Sequence, residues 1–225
     1  MKDIFLLDMD DTLFDFRRTE EINFKETLEK FGICADKPAF ERFREINIGL
    51  WQEFERGETT KEQIKIRRFA ELFKEFGYTA DIERVAKSYV KNFEEICIPF
   101  DGAENFLKEL ARVGKVYIVT NGNTEIQIRH LTDAGFLPFI DKAFISDEIG
   151  CAKPSSEYAG HLKANIQGFD CGRAVWIGDS LTSDRACAEV AGVDFILFAH
   201  RGVPNGYNGP VAKNFAEVLK ILNTL

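Results

Sequence analysis

The chain has 225 residues, enough for one large domain or for a core domain that carries an insertion. Hydrophobic residues make up 45% of it and charged residues 29%, as in ordinary globular proteins. The net charge of −8 argues against nucleic-acid polymers and anionic membranes as partners. A small anionic substrate is still compatible with this charge, because a metal ion can reverse the local field.

The cysteines and the first residues indicate the compartment. Five cysteines are scattered along the chain without a C-x-x-C pair, so we expect reduced thiols, most of them buried, and no zinc site. The N-terminus has no basic-then-apolar signal segment, and no apolar run approaches about 18 residues. These features predict a cytoplasmic protein without a membrane segment.

The first predicted element is a short buried strand, Ile4–Leu7. It is followed by a block, residues 16–96, in which only helices are predicted. There, Thr59 and Glu62 form a predicted capping box, Asp81 is a predicted N-cap, and Gly77 ends a helix. Four amphipathic helices rich in Phe favour a small helical bundle. We therefore predict a helical domain at 16–96 inserted between residues 1–15 and 97–225.

The rest of the chain alternates between short apolar strands and helices, which predicts an α/β fold with a parallel sheet covered on both faces. The later strands are predicted at Val116–Val119, Ala143–Ile145, Ala174–Ile177 and Phe195–Phe198. Ligands of such sheets bind beyond the carboxyl ends of the strands. Polar residues stand at these ends: Asp8, Asp10 and Thr12; Thr120 and Asn121; Lys153; and Asp179 and Asp184.

In order, these segments read D-x-D-x-T, T-N, K-P and G-D-S-x-x-x-D. The series resembles the four motifs of haloacid dehalogenase superfamily phosphohydrolases, over nearly the whole chain. The helical block resembles the cap of that superfamily's first subfamily. The resemblance implies a Rossmann-like core whose five strands have the order 5-4-1-2-3, with the motifs meeting at the tip of the first strand.

The chemistry of these residues can also be argued directly. Phosphoryl transfer needs a nucleophile, a proton donor for the leaving oxygen and positive charge around the transferring group. Asp8 and Asp10 are two residues apart, so an extended backbone would send both side chains to one face. One carboxylate can attack phosphorus while the other donates a proton. The resemblance implies that Asp8 is the nucleophile and Asp10 the acid and base.

A cluster of carboxylates requires a cation, because two unit charges about 4 Å apart repel by roughly 4 kcal/mol at an effective dielectric near 20. The motifs contain no His or Cys, which favours Mg²⁺ over zinc. The resemblance implies ligation by Asp8, the main-chain carbonyl of Asp10, and Asp179. Asp184 would support the ligands or hold a metal-bound water, and Thr12 would order the loop.

Two loops offer groups for the phosphate. The Thr120 hydroxyl and the N–H groups of the loop that begins with Asn121 suit phosphoryl oxygens. Lys153 supplies a point charge that can reach both a phosphate and the nucleophile. It is the only basic residue in the four motif stretches, so we predict that it is catalytic.

The motif sequences DMDDTLFDF, ISDEIGCAKP and GDSLTSD look most like the group that contains bacterial pyrimidine 5′-nucleotidases. One departure is Ser155, where many relatives carry Asp after the K-P pair. The predicted substrate is therefore a nucleoside monophosphate or a similar small phosphorylated metabolite, bound by a monomer or homodimer. Arg44, Trp51 and Phe54 of the helical block are candidates for contacting its base or sugar, although the two aromatic residues also suit the bundle core.

Other reactions remain open at this stage. A sugar phosphomutase uses the same Asp pair, and a phosphonate hydrolase would need a Schiff-base lysine such as Lys25, Lys61 or Lys65. A catalytically idle relative could bind a phosphometabolite or a protein, but binding gains little from a general acid at Asp10. A dehalogenase needs neither that acid nor Mg²⁺. A receiver domain of a signalling protein would be shorter and would lack the helical insertion.

Overall fold

The computed structural model describes all 225 residues, which form two compact units. The core unit comprises residues 1–15 and 99–225, and the helical unit comprises residues 16–98. The helical unit thus extends two residues beyond the end given by the sequence pattern. None of the helices combines the length and the apolar composition that a membrane span requires.

The core unit contains a parallel sheet of six strands rather than the five predicted. The strands are β1 Ile4–Leu7, β2 Lys115–Thr120, β3 Lys142–Ile145, β4 Ala174–Gly178, β5 Asp194–Phe198 and β6 Val211–Ala212. Their order is β3-β2-β1-β4-β5-β6, so the full order is 6-5-4-1-2-3, with β6 added beside β5. The sequence pattern misses β6 because a strand of two residues contains no apolar run.

Strand β1 lies in the middle of the sheet, with β2 on one side and β4 on the other. Leu7, its last residue, pairs with Ile118 of β2 and Ile177 of β4. All four residues of β1 are buried, as expected for a parallel strand covered on both faces. The residues that follow β1, β2 and β4 therefore leave the sheet at the same edge.

The helical unit is built from α1 to α4, which are Phe16–Lys30, Lys37–Glu55, Lys61–Phe76 and Ile82–Glu95. Its core is aromatic: the Phe43 ring lies within 5.5 Å, between ring centroids, of the rings of Phe24, Phe69 and Tyr89. The predicted N-cap Asp81 and C-cap Gly77 are confirmed. The predicted capping box is wrong by one residue, because Thr60 and Gln63 form it.

Six further helices belong to the core unit: α5 Ala103–Val113, α6 Thr124–Asp133, α7 Ser146–Ile149, α8 Ser156–Asn165, α9 Ala186–Ala191 and α10 Phe215–Leu222. A single π-helical turn, Leu181–Arg185, precedes α9. All five cysteines are free thiols, but the expectation that most are buried is wrong, since only Cys187 is buried.

Candidate active site at the strand ends

Asp8 directly follows β1 and is fixed by the sheet, because its N–H donates to the Ile177 carbonyl of β4 at 3.0 Å. The chain then turns around Met9, whose carbonyl accepts hydrogen bonds from the N–H groups of Thr12, Leu13 and Phe14. Asp11 adopts φ +55° in this turn, a left-handed conformation that Asp tolerates better than most residues. The Thr12 hydroxyl is buried without a hydrogen-bond partner, so Thr12 orders the turn through its N–H.

Lys153 forms hydrogen bonds to groups at the ends of three strands. Its Nζ donates to Asp8 Oδ1 at 2.6 Å, to Asp184 Oδ1 at 2.6 Å and to the Val119 carbonyl at 2.9 Å. Only 2% of the residue is exposed. Burial alone would lower the pKa of Lys153, but the charges of Asp184 and Asp8 raise it well above its ordinary value. Lys153 is therefore a buried ammonium group that is paired with two carboxylates.

The side chain of Asn121 positions Lys153. Its Nδ2 donates to the Lys153 carbonyl at 2.9 Å, and its Oδ1 accepts from the Lys153 N–H at 2.8 Å. Both ends of the amide are thus used to hold the lysine loop, a contact that the sequence pattern does not predict. Thr120, the last residue of β2, is buried, and its Oγ1 accepts from the Gly122 N–H at 3.1 Å.

Hydrogen bonds fix the Asp184 carboxylate near the carboxyl end of β4. Its Oδ1 also accepts from the Trp176 indole at 3.2 Å, and its Oδ2 accepts from the Ser180 N–H at 3.2 Å. A glycine at 178 is required, since a Cβ there would lie 2.4 Å from the Asp184 carboxyl carbon. Both oxygens of Asp184 are therefore engaged by donors of the protein itself.

The carboxylates of Asp8, Asp179 and Asp184 fit a hard divalent cation in chemistry and spacing. One oxygen of each lies within 4.8 Å of the others. Burial raises the pKa of Asp8 to about 8, and the nearby charge of Asp184 adds to this effect. Burial and then the charge of Asp8 raise the pKa of Asp179 well above its ordinary value. When all three carboxylates are ionised, Lys153 can neutralise only one of their charges, which leaves two negative charges without a cation.

Asp10 is held by Gln127, a residue that no motif predicts. Gln127 Nε2 donates to Asp10 Oδ2 at 2.9 Å. Burial raises the pKa of Asp10, and the hydrogen bond from Gln127 opposes this shift. Gln127 lies in the first turn of α6, 117 residues along the chain from Asp10. The only sequence signal is a Gln in the predicted helix that follows the T-N motif, and Gln is too common in helices to identify a functional residue.

The three substrate candidates from the helical block lie in the helical unit. Arg44 Nε donates to Glu20 Oε2 at 3.1 Å, so its charge is paired within the unit. Trp51 and Phe54 stack edge to face at 5.5 Å and pack against the aromatic core while remaining partly exposed. The aromatic pair therefore has a packing role in the bundle, and no contact of these three residues identifies a ligand.

Comparison with known proteins agrees with the motifs. A family profile described as haloacid dehalogenase-like hydrolase matches residues 2–192. The chain is 35% identical over 189 residues to the HAD-hydrolase YfnB of Bacillus subtilis, covering 84% of this chain and 80% of YfnB. It is 30% identical over 194 residues to the pyrimidine 5′-nucleotidase PynA of Streptococcus pneumoniae, covering 86% of this chain and 82% of PynA.

Solved structures show the same fold. The crystal structure of YfnB bound to magnesium superposes with a TM-score of 0.92 at 32% identity, and the alignment covers 99% of both chains. An L-2-haloacid dehalogenase from Xanthobacter autotrophicus superposes with a TM-score of 0.78 at 14% identity, covering 100% of both chains. The second similarity concerns the fold alone.

Proposed function

Because the chain belongs to the haloacid dehalogenase-like hydrolase family, we propose that it hydrolyses phosphate monoesters with Mg²⁺ through an aspartyl-phosphate intermediate. The observation that carries this proposal is the pair of carboxyl groups after β1. Asp8 is bound to a buried ammonium group, and Asp10 is held separately by an amide. Such a pair suits a reaction that needs one nucleophile and one proton donor.

In the first step, a carboxylate oxygen of Asp8 attacks phosphorus and the bond from phosphorus to the leaving oxygen breaks. Asp10 gives its proton to that oxygen, so an alcohol departs rather than an alkoxide. Lys153 binds Asp8 Oδ1, which leaves the other oxygen for the attack. The Thr120 hydroxyl and the N–H groups of the loop after it bind the phosphoryl oxygens.

In the second step, Asp10 is a carboxylate and takes a proton from a water molecule. The water oxygen attacks phosphorus, the bond to Asp8 breaks, and inorganic phosphate leaves. Asp10 is then protonated again and Asp8 is again a carboxylate. Lys153, between Asp8 and Asp184, supplies positive charge next to the reacting carboxylate throughout.

Asp8, Asp179 and the main-chain carbonyl of Asp10 would hold the Mg²⁺ ion. When bound, the ion supplies the positive charge that the carboxylate cluster lacks and that a phosphoryl group needs. The engagement of both Asp184 oxygens by Lys153, Trp176 and Ser180 favours a supporting role for Asp184. The magnesium bound by YfnB supports this choice of metal.

The proposed substrates are nucleoside monophosphates or similar small phosphorylated metabolites. The similarity to PynA, a pyrimidine 5′-nucleotidase, supports this class. As the sequence analysis suggested, Arg44, Trp51 and Phe54 are the residues proposed to contact the base or sugar. Dehalogenation is disfavoured, because halide departs without a proton from Asp10. A phosphomutase, a phosphonate hydrolase and an idle binding protein are the alternatives to be tested.

The test is phosphate release with Mg²⁺ from a panel of nucleoside monophosphates, sugar phosphates and phosphoglycolate. The variants Asp8→Asn and Asp10→Asn should each lose turnover by a factor of about 10⁴ or more while remaining folded. Arg129→Gln, on the exposed surface of α6, is the control and should keep full activity. Full activity in either Asp variant would refute the mechanism, and an isomerised sugar phosphate without phosphate release would indicate a mutase.

A further inference from the structure

The contact between Gln127 and Asp10 has a specific chemical consequence. Gln127 is 3% exposed, and its Nε2 donates to Asp10 Oδ2 at 2.9 Å. Its own Oε1 is buried without a hydrogen-bond partner. The side-chain amide of Gln127 therefore makes one hydrogen bond, and its partner is the proposed acid Asp10 rather than a group of the helix.

The cap of α6 and the glycine at 122 place the Gln127 side chain next to Asp10. Asn123 caps α6 by accepting from the Ile126 N–H at 3.2 Å, and its carbonyl accepts from the Gln127 N–H at 2.9 Å. These bonds fix the backbone of Gln127 in the first turn. A Cβ at Gly122 would lie 2.0 Å from Gln127 Nε2, so only glycine leaves the amide room in this position. The hydrogen bond between Gln127 and Asp10 thus depends on both Gly122 and Gln127.

We infer that Gln127 is a positioning residue that keeps the acidic proton of Asp10 on Oδ1 and directs it to the leaving oxygen. An oxygen that carries a proton is a poor acceptor, so an N–H donated to Oδ2 favours the acid form protonated at Oδ1. When the proton passes from Oδ1 to the leaving oxygen, Asp10 becomes a carboxylate and the N–H bond to Oδ2 becomes charge-assisted. This inference rests on the proposed function, in which Asp10 is the proton donor.

Leaving-group dependence tests this role, because only a poor leaving group needs the proton. Uridine 5′-monophosphate releases an alcohol that must be protonated, whereas p-nitrophenyl phosphate releases a phenolate that is stable without a proton. Gln127→Met keeps the size of the side chain and removes the donor. It should lower kcat/KM for the nucleotide by about 10- to 100-fold and kcat/KM for the aryl ester by less than about 3-fold. The ratio of the two constants is the readout that a loss of packing would not change.

A second variant disturbs the same hydrogen bond by removing the space that the Gln127 amide occupies. Gly122→Ala should displace the Gln127 amide and reproduce the change in the ratio. The double variant Gly122→Ala, Gln127→Met should then be no worse than Gln127→Met, because both changes remove one interaction. Arg129→Gln, on the exposed face of the same helix, is the matched control and should leave both constants unchanged. Thermal unfolding of each variant checks that it is folded.

The outcomes separate this inference from the proposed function. Equal losses for the two substrates in Gln127→Met, or no loss in either, would overturn the positioning role while leaving the phosphatase proposal intact. Additive effects of the two substitutions would also overturn it. A wild-type protein that releases phosphate neither from these two esters nor from any other member of the substrate panel would overturn the proposed function, and the inference with it.

Discussion

Each unit of the protein contains a largely buried cluster of charged side chains, and the two clusters differ in net charge. In the core unit, the acidic cluster of Asp8, Asp179 and Asp184 is accompanied by Lys153. Fully ionised, these four groups carry a net charge of −2. In the helical unit, Glu20 pairs with Arg44 and lies near the positive charge of Arg68. Fully ionised, those three groups carry a net charge of +1.

The hydrogen-bond donors of the Glu20 carboxylate come from within the helical bundle. Glu20 Oε1 accepts from Asn47 Nδ2 at 2.7 Å and Oε2 accepts from Arg44 Nε at 3.1 Å. The Arg68 guanidinium lies over the Tyr89 ring, 4.2 Å from its centroid, where the ring face attracts a cation. The only carboxylate of this cluster therefore has a donor on each oxygen and two cations close by.

The difference between the two clusters is their net charge, and an uncompensated surplus of negative charge indicates a candidate cation site. Burying charge is unfavourable unless partners compensate it, and at Glu20 the partners come from neighbouring helices. In the acidic cluster the protein supplies one ammonium group for three carboxylates, and a bound divalent cation would supply the remaining positive charge.

Removing Lys153 should have the largest effect on stability. Lys153→Met leaves Asp8 and Asp184 buried without their common cation, so the metal-free protein should lose about 3–5 kcal/mol of unfolding free energy. Urea unfolding in chelator measures this change. Lys115→Met, which removes an exposed lysine paired with Asp141, is the matched control and should change stability far less. Equal losses in the two variants would contradict the special role given to the buried pair.

The acidic cluster could be predicted from the sequence because two local signals coincide. Apolar runs locate β1, β2 and β4, and the polar residues that follow them must meet at one edge of a parallel sheet. Strand β6 gives no such signal, because its two residues become a strand only by pairing with β5. The count of strands therefore required the structure, whereas the convergence of Asp8, Asp179 and Asp184 could be predicted without it.

The residues missed by the sequence analysis are those whose partners lie far along the chain. Gln127 contacts Asp10 across 117 residues, and Glu20 contacts Asn47 across 27. Glu20 lies on a helix in which charged residues are frequent, and burial distinguishes it only once the helices pack. Propensity and periodicity describe one helix face at a time, so neither contact could be predicted from them.

Glu20 should make the stability of the protein depend on pH. Burial raises its pKa to about 7 in the folded protein, above an ordinary value of 4.5, although Arg44 and Arg68 oppose the shift. The folded state then binds more protons at Glu20 than the unfolded state between these values, so the contribution of Glu20 to stability is complete below about pH 4.5 and is lost as the pH rises through about 7. The loss from this group should be about 3 kcal/mol.

Glu20→Gln removes this titration, so the variant should gain stability relative to the wild type as the pH rises from about 4.5 to 7. Urea unfolding at a series of pH values measures the difference between the two proteins. Glu41→Gln, at the partly exposed pair of Glu41 with Arg17, is the matched control, and its stability should run parallel to that of the wild type. A constant difference between Glu20→Gln and the wild type would show that Glu20 stays ionised in the bundle.

Magnesium should stabilise the core unit by filling the charge deficit of the acidic cluster. At an ion concentration about 100 times the dissociation constant, binding to the folded state alone adds about 2.7 kcal/mol. Asp179→Asn removes a proposed ligand without touching Lys153, so its melting temperature should respond much less to Mg²⁺ than that of the wild type. Thermal unfolding with Mg²⁺ and with excess chelator measures both responses, and phosphate release should stop in chelator. A full response in Asp179→Asn, or turnover that persists in chelator, would place the cation elsewhere or exclude it from the reaction.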